Sequence, residues 1–162
     1  MNRNTIEKIF NFLNTKEGKE IPNKWELIKE LENHPDDKQY RYEGNLVLND
    51  SNIRKLPNDL YVRGYLKLNN SKQLIKLPDK LHIGGWLDIR NCSQITELPD
   101  DLFVGGWLAL PYTNISEIPN NLYVHYDLYI YDTPLSRKYS SDEIREMITS
   151  KGGEIIGKIH RK

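Results

Sequence analysis

The sequence predicts a mainly β repeat solenoid with a helical N-terminal cap and a helix–strand C-terminal cap. Three observations predict it. The pattern Leu60-x-Val62-x-Gly64-x-Leu66-x-Leu68 recurs as Leu81-x-Ile83-x-Gly85-x-Leu87-x-Ile89, as Leu102-x-Val104-x-Gly106-x-Leu108-x-Leu110 and as Leu122-x-Val124-x-Tyr126-x-Leu128-x-Ile130, with a weaker first copy at Tyr40-x-Tyr42-x-Gly44-x-Leu46-x-Leu48. A second marker separates the copies: Leu56-Pro57, Leu77-Pro78, Leu98-Pro99 and Ile118-Pro119. The glycine slots at 44, 64, 85 and 106, with Tyr126 in the fifth, are spaced by 20, 21, 21 and 20 residues, and a fixed period in this range marks a solenoid.

Residues 1–38 read as the N-terminal cap. Ile6, Ile9, Phe10 and Leu13 recur at helical spacing, with Asn4 and Glu7 placed as a capping box. A second helix starts at Pro22-Asn23, with Glu26 three residues after Asn23, and its apolar face is Trp25, Leu27, Ile28 and Leu31. His34-Pro35 ends it, because proline disfavours helix in the residue before it. Short amphipathic helices need an apolar partner, and the open first edge of the repeat supplies one.

Residues 39–136 read as five coils. Strict alternation of apolar residues is strand periodicity with one face buried. Each copy is long enough for two short strands, with the glycine where the chain bends and where a Cβ would crowd the neighbouring coil. Asn, Asp, Ser, Thr and Pro then follow as a turn. In the third coil Leu81, Ile83, Leu87, Ile89, Ile95 and Leu98 point inward. Tyr126 in the last glycine slot is expected to mark the end of regular stacking.

The segments Leu46-x-Leu48-x-x-Ser51-x-Ile53, Leu108-x-Leu110-x-x-Thr113-x-Ile115 and Leu128-x-Ile130-x-x-Thr133-x-Leu135 resemble the leucine-rich-repeat consensus. Leu66-x-Leu68-x-x-Ser71-x-x-Leu74 and Leu87-x-Ile89-x-x-Cys92-x-x-Ile95 are similar to a form one residue longer. The Leu-Pro marker resembles the short bacterial type. Ser, Thr or Cys stands where that family has asparagine, and a second strand-like segment stands where others have a helix. The resemblance implies a slim solenoid with a parallel sheet on each of two faces, and a protein-binding role.

Residues 137–162 read as the C-terminal cap. Ser140 and Glu143 form a capping box, Ile144, Met147 and Ile148 give a helical stripe, and Gly152-Gly153 stops it. Glu154 to His160 reads as one final strand.

The bulk composition narrows function. Across 162 residues, 23 basic and 23 acidic side chains cancel, so no global field draws the chain to nucleic acid or anionic membranes. The single cysteine, Cys92, excludes an internal disulfide framework and fits a reducing, cytoplasmic setting. No apolar run reaches the ~18 residues of a membrane span, and Met1 to Thr5 does not open a signal peptide. The sequons at Asn69 and Asn114 then carry no meaning. An abundance of Asn, Lys, Ile and Tyr suggests an AT-rich genome.

No phosphate loop, nucleophile elbow, zinc-protease motif or Cys-x-x-Cys occurs. His34, His82, His125 and His160 lack metal-ligand spacing. Cys92 occupies the turn slot, where a thiol bonds loop backbone inside the coil. An enzyme, a cofactor and a metal are therefore not expected. Bacterial leucine-rich-repeat effectors can carry a separate ubiquitin-ligase domain with a catalytic cysteine, but no segment here is long enough for one.

The informative residues point outward. After each glycine slot the sequence reads Asn45, Tyr65, Trp86, Trp107, Asp127. Two residues on it reads Val47, Lys67, Asp88, Ala109, Tyr129, and two beyond that Asn49, Asn69, Arg90, Pro111, Tyr131. Coils about 4.8 Å apart place Tyr65, Trp86 and Trp107 in a ladder, flanked by Lys67, Asp88, Arg90, Tyr129 and Tyr131. Exposed aromatics beside an Arg and an Asp have the composition of a protein-binding hot spot. A second column, Arg41, Tyr61, His82, Phe103 and Tyr123, is also aromatic. The first is favoured because its charged neighbours differ from coil to coil. The expected function is recognition of a partner protein, as in a bacterial effector or a phage inhibitor of a host defence protein. The alternatives are single-stranded nucleic acid stacking on the ladder, disfavoured by the zero net charge, and an enzyme that motifs do not identify.

Overall fold

A computed structural model describes residues 23–162, and it is a parallel β-solenoid. The helix expected over Ile6 to Leu13 lies outside the described residues. The second helix is α1, Lys24–Glu32, closed at its start by the expected box: Asn23 accepts from the Glu26 backbone and Glu26 accepts from the Asn23 backbone. Leu27, Ile28 and Leu31 are buried on the first coil. Trp25, expected on that face, is 55% exposed. Tyr40 donates to Glu30 at 2.8 Å and the Arg54 backbone N–H donates to Glu32 at 2.7 Å, which seats α1 on the open end of the stack.

Each rung carries two strands separated by a bend. The first sheet orders β1 (Gln39–Tyr42), β3 (Asp59–Val62), β5 (Lys80–Ile83), β7 (Phe103–Val104), β9 (Tyr123–Val124) and β11 (Glu154–Ile155). The second orders β2 (Leu46–Val47), β4 (Leu66–Lys67), β6 (Leu87–Asp88), β8 (Leu108–Ala109), β10 (Leu128–Tyr129) and β12 (Ile159–His160). All pairings are parallel and in the register of the sequence repeat, for example Leu66↔Leu87↔Leu108↔Leu128. The bends stack through their own hydrogen bonds: the Gly85 N–H donates to the Gly64 carbonyl at 2.8 Å, and the Tyr126 N–H to that of Gly106 at 3.1 Å. A Cβ on Gly85 would stand 3.0 Å from the Gly64 carbonyl, and one on Gly84 would overlap the Arg63 carbonyl oxygen.

The predicted inward residues of the third coil are all buried, as are their equivalents in the second, fourth and fifth coils, while Tyr40 and Tyr42 of the first coil are half-buried against the core. Fully burying such a side chain is worth about 1.5–3 kcal/mol before ordering entropy is subtracted. The turn slot works as expected. Ser71 donates to the Leu48 carbonyl at 2.9 Å, Cys92 to that of Leu68 at 3.1 Å, and Thr113 to that of Leu110 at 2.7 Å. The corner just before it adopts the left-handed backbone at Asp50, Asn70, Asn91, Tyr112 and Asp132, a conformation that Asn and Asp tolerate better than other non-glycine residues. There Asn70 donates to Asp50 and Asn91 to Asn70, at 2.8 and 2.9 Å.

Tyr126 does not end the stack. After it come α2 (Pro134–Lys138), unmarked in the sequence reading, and α3 (Ser141–Ser150), with the expected Ser140–Glu143 box. The chain then returns for a sixth rung. Glu154 to His160 is not one strand but β11 and β12, bent at Gly157, whose N–H donates to the Tyr126 carbonyl at 3.2 Å. Arg145 of α3 clamps this rung by donating to the carbonyls of Ile155 and Gly157, both at 2.6 Å. No helix among the described residues is long and apolar enough to cross a membrane.

Candidate functional site: the outer face of the second sheet

The residues just ahead of β4, β6 and β8 form the predicted ladder. Tyr65 and Trp86 stack with centroids 4.0 Å apart and planes 6° from parallel; Trp86 and Trp107 stack at 4.5 Å and 7°. Rungs about 4.8 Å apart bring equivalent rings within stacking distance, and here they lie face to face. Inside the stack each ring covers its neighbour's face, and solvent meets mainly edges.

The column ends in polar residues. Asn45 accepts from the Tyr65 N–H at 3.2 Å. At the other end Asp127 stands where a fourth ring would be. It accepts from the Lys158 N–H at 2.9 Å and contacts His160 Nε2 at 2.8 Å. These bonds, the backbone one first, hold the Asp127 carboxyl below its ordinary pKa. Trp107 is therefore the last ring, with no coplanar partner beyond it.

In the middle column Asp88 corrects the sequence reading. It occupies an outward position but is fully buried, because the Arg90 side chain lies against it. Arg90 donates from Nε to Oδ1 at 2.9 Å and from Nη2 to Oδ2 at 2.7 Å, a bidentate pair of fixed geometry. The Arg90 side chain remains 48% exposed. Asp88 is thus a positioning group for Arg90 and is not presented to solvent.

Beyond Asp88 the column shrinks to Ala109 and then widens to Tyr129. The step opens a groove of about 480 Å³ lined by Arg90, Trp107, Ala109, Pro111, Tyr129 and Tyr131. Tyr129 meets Trp107 edge-on at 6.1 Å and 87°. It is braced from behind by a parallel stack on His160 at 4.6 Å and 8°, so the sixth rung supports one wall. Of the predicted site residues, Arg90, Trp107, Tyr129 and Tyr131 line the groove. Tyr65, Lys67 and Trp86 lie on the same face outside it. Ala109 and Pro111, which the sequence reading places on this face without counting them in the site, also line the groove, and His160 braces it unanticipated; the small residue between Asp88 and Tyr129 was the available signal.

Tyr112 adjoins the groove through Pro111. Its φ is +61°, in a corner column otherwise filled by Asn and Asp, and its side chain is more than half exposed. A bulky residue in the left-handed region costs on the order of 1 kcal/mol, and little burial offsets it. The local sequence here departs from the residue type the fold prefers.

On the first sheet the second column is unbroken. Arg41 lies 4.0 Å over the Tyr61 ring, and Tyr61, His82, Phe103 and Tyr123 stack at 4.9, 4.3 and 4.9 Å. Burial, and then the Arg41 charge, lower the His82 pKa. Cys92 is buried, and desolvation raises its thiol pKa to about 11, which leaves it a packing and hydrogen-bonding group. No cluster of three or more His, Cys, Asp or Glu able to hold a metal occurs among the described residues. Comparison with protein-family models, with curated proteins and with solved structures gives no match.

Proposed function

We propose that the protein is a non-enzymatic recognition module that binds a partner protein on the outer face of the second sheet. Its docking point is the groove between Trp107 and Tyr129. The supporting observation is the interruption itself. Along a face otherwise set by repetition, Ala109 opens a groove, Asp127 stops the ring stack and Tyr112 accepts a strained backbone, all within adjoining rungs. Departures from local consistency concentrate at functional positions. The coil pattern and the buried Ser, Cys and Thr turn slots support placing the chain with leucine-rich repeats of the short bacterial type, where protein binding is the common role. A cytoplasmic setting belongs to this reading, on the strength of the single free, buried Cys92. Single-stranded nucleic acid fits less well, because most ring faces of the ladder are covered by neighbouring rings and the zero net charge supplies no phosphate attraction.

The test is affinity capture from host lysate with three baits: the natural chain, Ala109→Arg to fill the groove, and Tyr61→Ala on the opposite sheet. The reading predicts a protein retained by the first and third baits and lost from the second. A protein lost only from the Tyr61→Ala bait moves the site to the first sheet.

A further inference from the structure

We infer that the segment entering the groove is an extended, proline-containing stretch of the partner with an acidic residue set against Arg90; this rests on the docking reading above. Of three modes of peptide recognition, the groove admits the extended proline-rich one best. Strand addition needs a free sheet edge. The groove lies over β8, which is interior to its sheet, with its backbone hydrogen bonds already made to β6 and β10.

A helix needs width. The groove runs from the rung of Arg90 to that of Tyr131, two strand spacings or about 9.6 Å between wall centres, against a helix diameter of about 10–12 Å. An extended polyproline-type segment is slimmer; laid along the rung of Trp107, Ala109 and Pro111, which advances about 13 Å over four residues, it needs about four residues at about 3.1 Å each. Such a segment has no internal hydrogen bonds to satisfy and asks little of the sheet backbone.

The lining matches that ligand. Trp107, Tyr129, Tyr131 and Pro111 offer flat apolar walls of the kind on which proline rings pack. The Trp107 indole N–H and the Tyr131 hydroxyl can donate to the carbonyls that a polyproline helix leaves outward. Charge fixes the direction. Arg90 uses Nε and Nη2 on Asp88, which leaves the Nη1 hydrogens for a ligand carboxylate. With its charge matched by Asp88, Arg90 acts through these directed donors, which a lysine flank has no acceptor to meet.

Isothermal titration of the full chain with three synthetic peptides tests this: an acetylated proline-rich peptide with one terminal Glu, its Pro→Ala version and its Glu→Lys version. Each is repeated on Ala109→Arg and on Tyr131→Ala, both checked for an unchanged melt so that at least one folded variant carries the comparison. Saturable binding of the first peptide is expected, with each altered peptide at least about tenfold weaker and binding lost in the variants. Binding that survives in both variants overturns the inference, since the peptide then sits elsewhere. Absence of binding by any peptide, while a captured protein is still lost from the Ala109→Arg bait, also overturns it and leaves the docking reading standing.

Discussion

The two aromatic columns rise from the same rungs and the same alternation, yet only one is continuous. On the first sheet Arg41, Tyr61, His82, Phe103 and Tyr123 form an unbroken stack in which every ring except the last is covered on both faces by a neighbour. On the second sheet the stack stops after Trp107, and the space beyond it becomes a groove. A complete column follows from the strand spacing, which brings each ring within stacking distance of the next; its stacked pairs each add about 0.5–1.5 kcal/mol beyond area burial. An interrupted column asks for a further reason. The two should therefore answer differently to mutation, the first in stability and the second in binding.

The largest effect breaks both at once. Gly84 and Gly85 join His82 of one column to Trp86 of the other, and Gly84→Val drives a side chain into the Arg63 carbonyl. We expect a loss of about 3 kcal/mol, the upper range of overpacking, read by chemical denaturation. Gly85→Val should cost less, because its Cβ meets backbone at a wider 3.0 Å. Next comes the separation of the columns. Trp107→Ala should weaken partner binding by about 2 kcal/mol, roughly 30-fold, with a smaller stability loss. Phe103→Ala should lower stability by about 2 kcal/mol and leave binding unchanged. Equal effects on binding would dissolve the distinction. Smaller still, Tyr112→Asn should raise stability by about 0.5–1 kcal/mol by relieving the left-handed strain while weakening binding. A melt that fell would show Tyr112 to be packing instead.

The smallest effect is on pH dependence. The His82 pKa is lowered on folding, so between its folded and unfolded values the unfolded chain binds the extra proton. Stability should fall as pH drops below the unfolded value of about 6.5, and the loss is complete below the folded pKa. His82→Phe keeps the stack and should flatten that slope in melts recorded across the window. Asp127 acts in a separate range. Its depressed pKa gives stability present above the unfolded carboxyl value near 3.9 and lost as pH falls through its folded value.

Much of the fold was legible because core positions repeat. The glycine period, the alternation, the capping boxes at Asn23 and Ser140 and the turn slots of Ser71, Cys92 and Thr113 all follow from residue type at fixed spacing. The sixth rung was hidden because α2 and α3 interrupt the period: Lys158 pairs with Asp127 across 31 residues. Ile155-x-Gly157-x-Ile159 does carry the motif once the insertion is set aside. Tyr126 could occupy a glycine slot without ending the stack because its side chain points to solvent, 58% exposed. The site was half legible. Periodicity told which residues share the outer face, and Trp107, Tyr129, Tyr131 and Arg90 lie together there. It could not tell that Arg90 would cover Asp88, nor that the rings would present edges, since both depend on rotamers set by neighbouring rungs.

The chain has three tryptophans, Trp25 on α1 and Trp86 and Trp107 on the ladder, so its indole N–H resonances make a compact map of contact. Titrating the captured partner into labelled protein should move the Trp107 resonance most, shift Trp86 less and leave Trp25 in place. If Trp107 stays fixed while the complex forms, the groove is not where the partner binds.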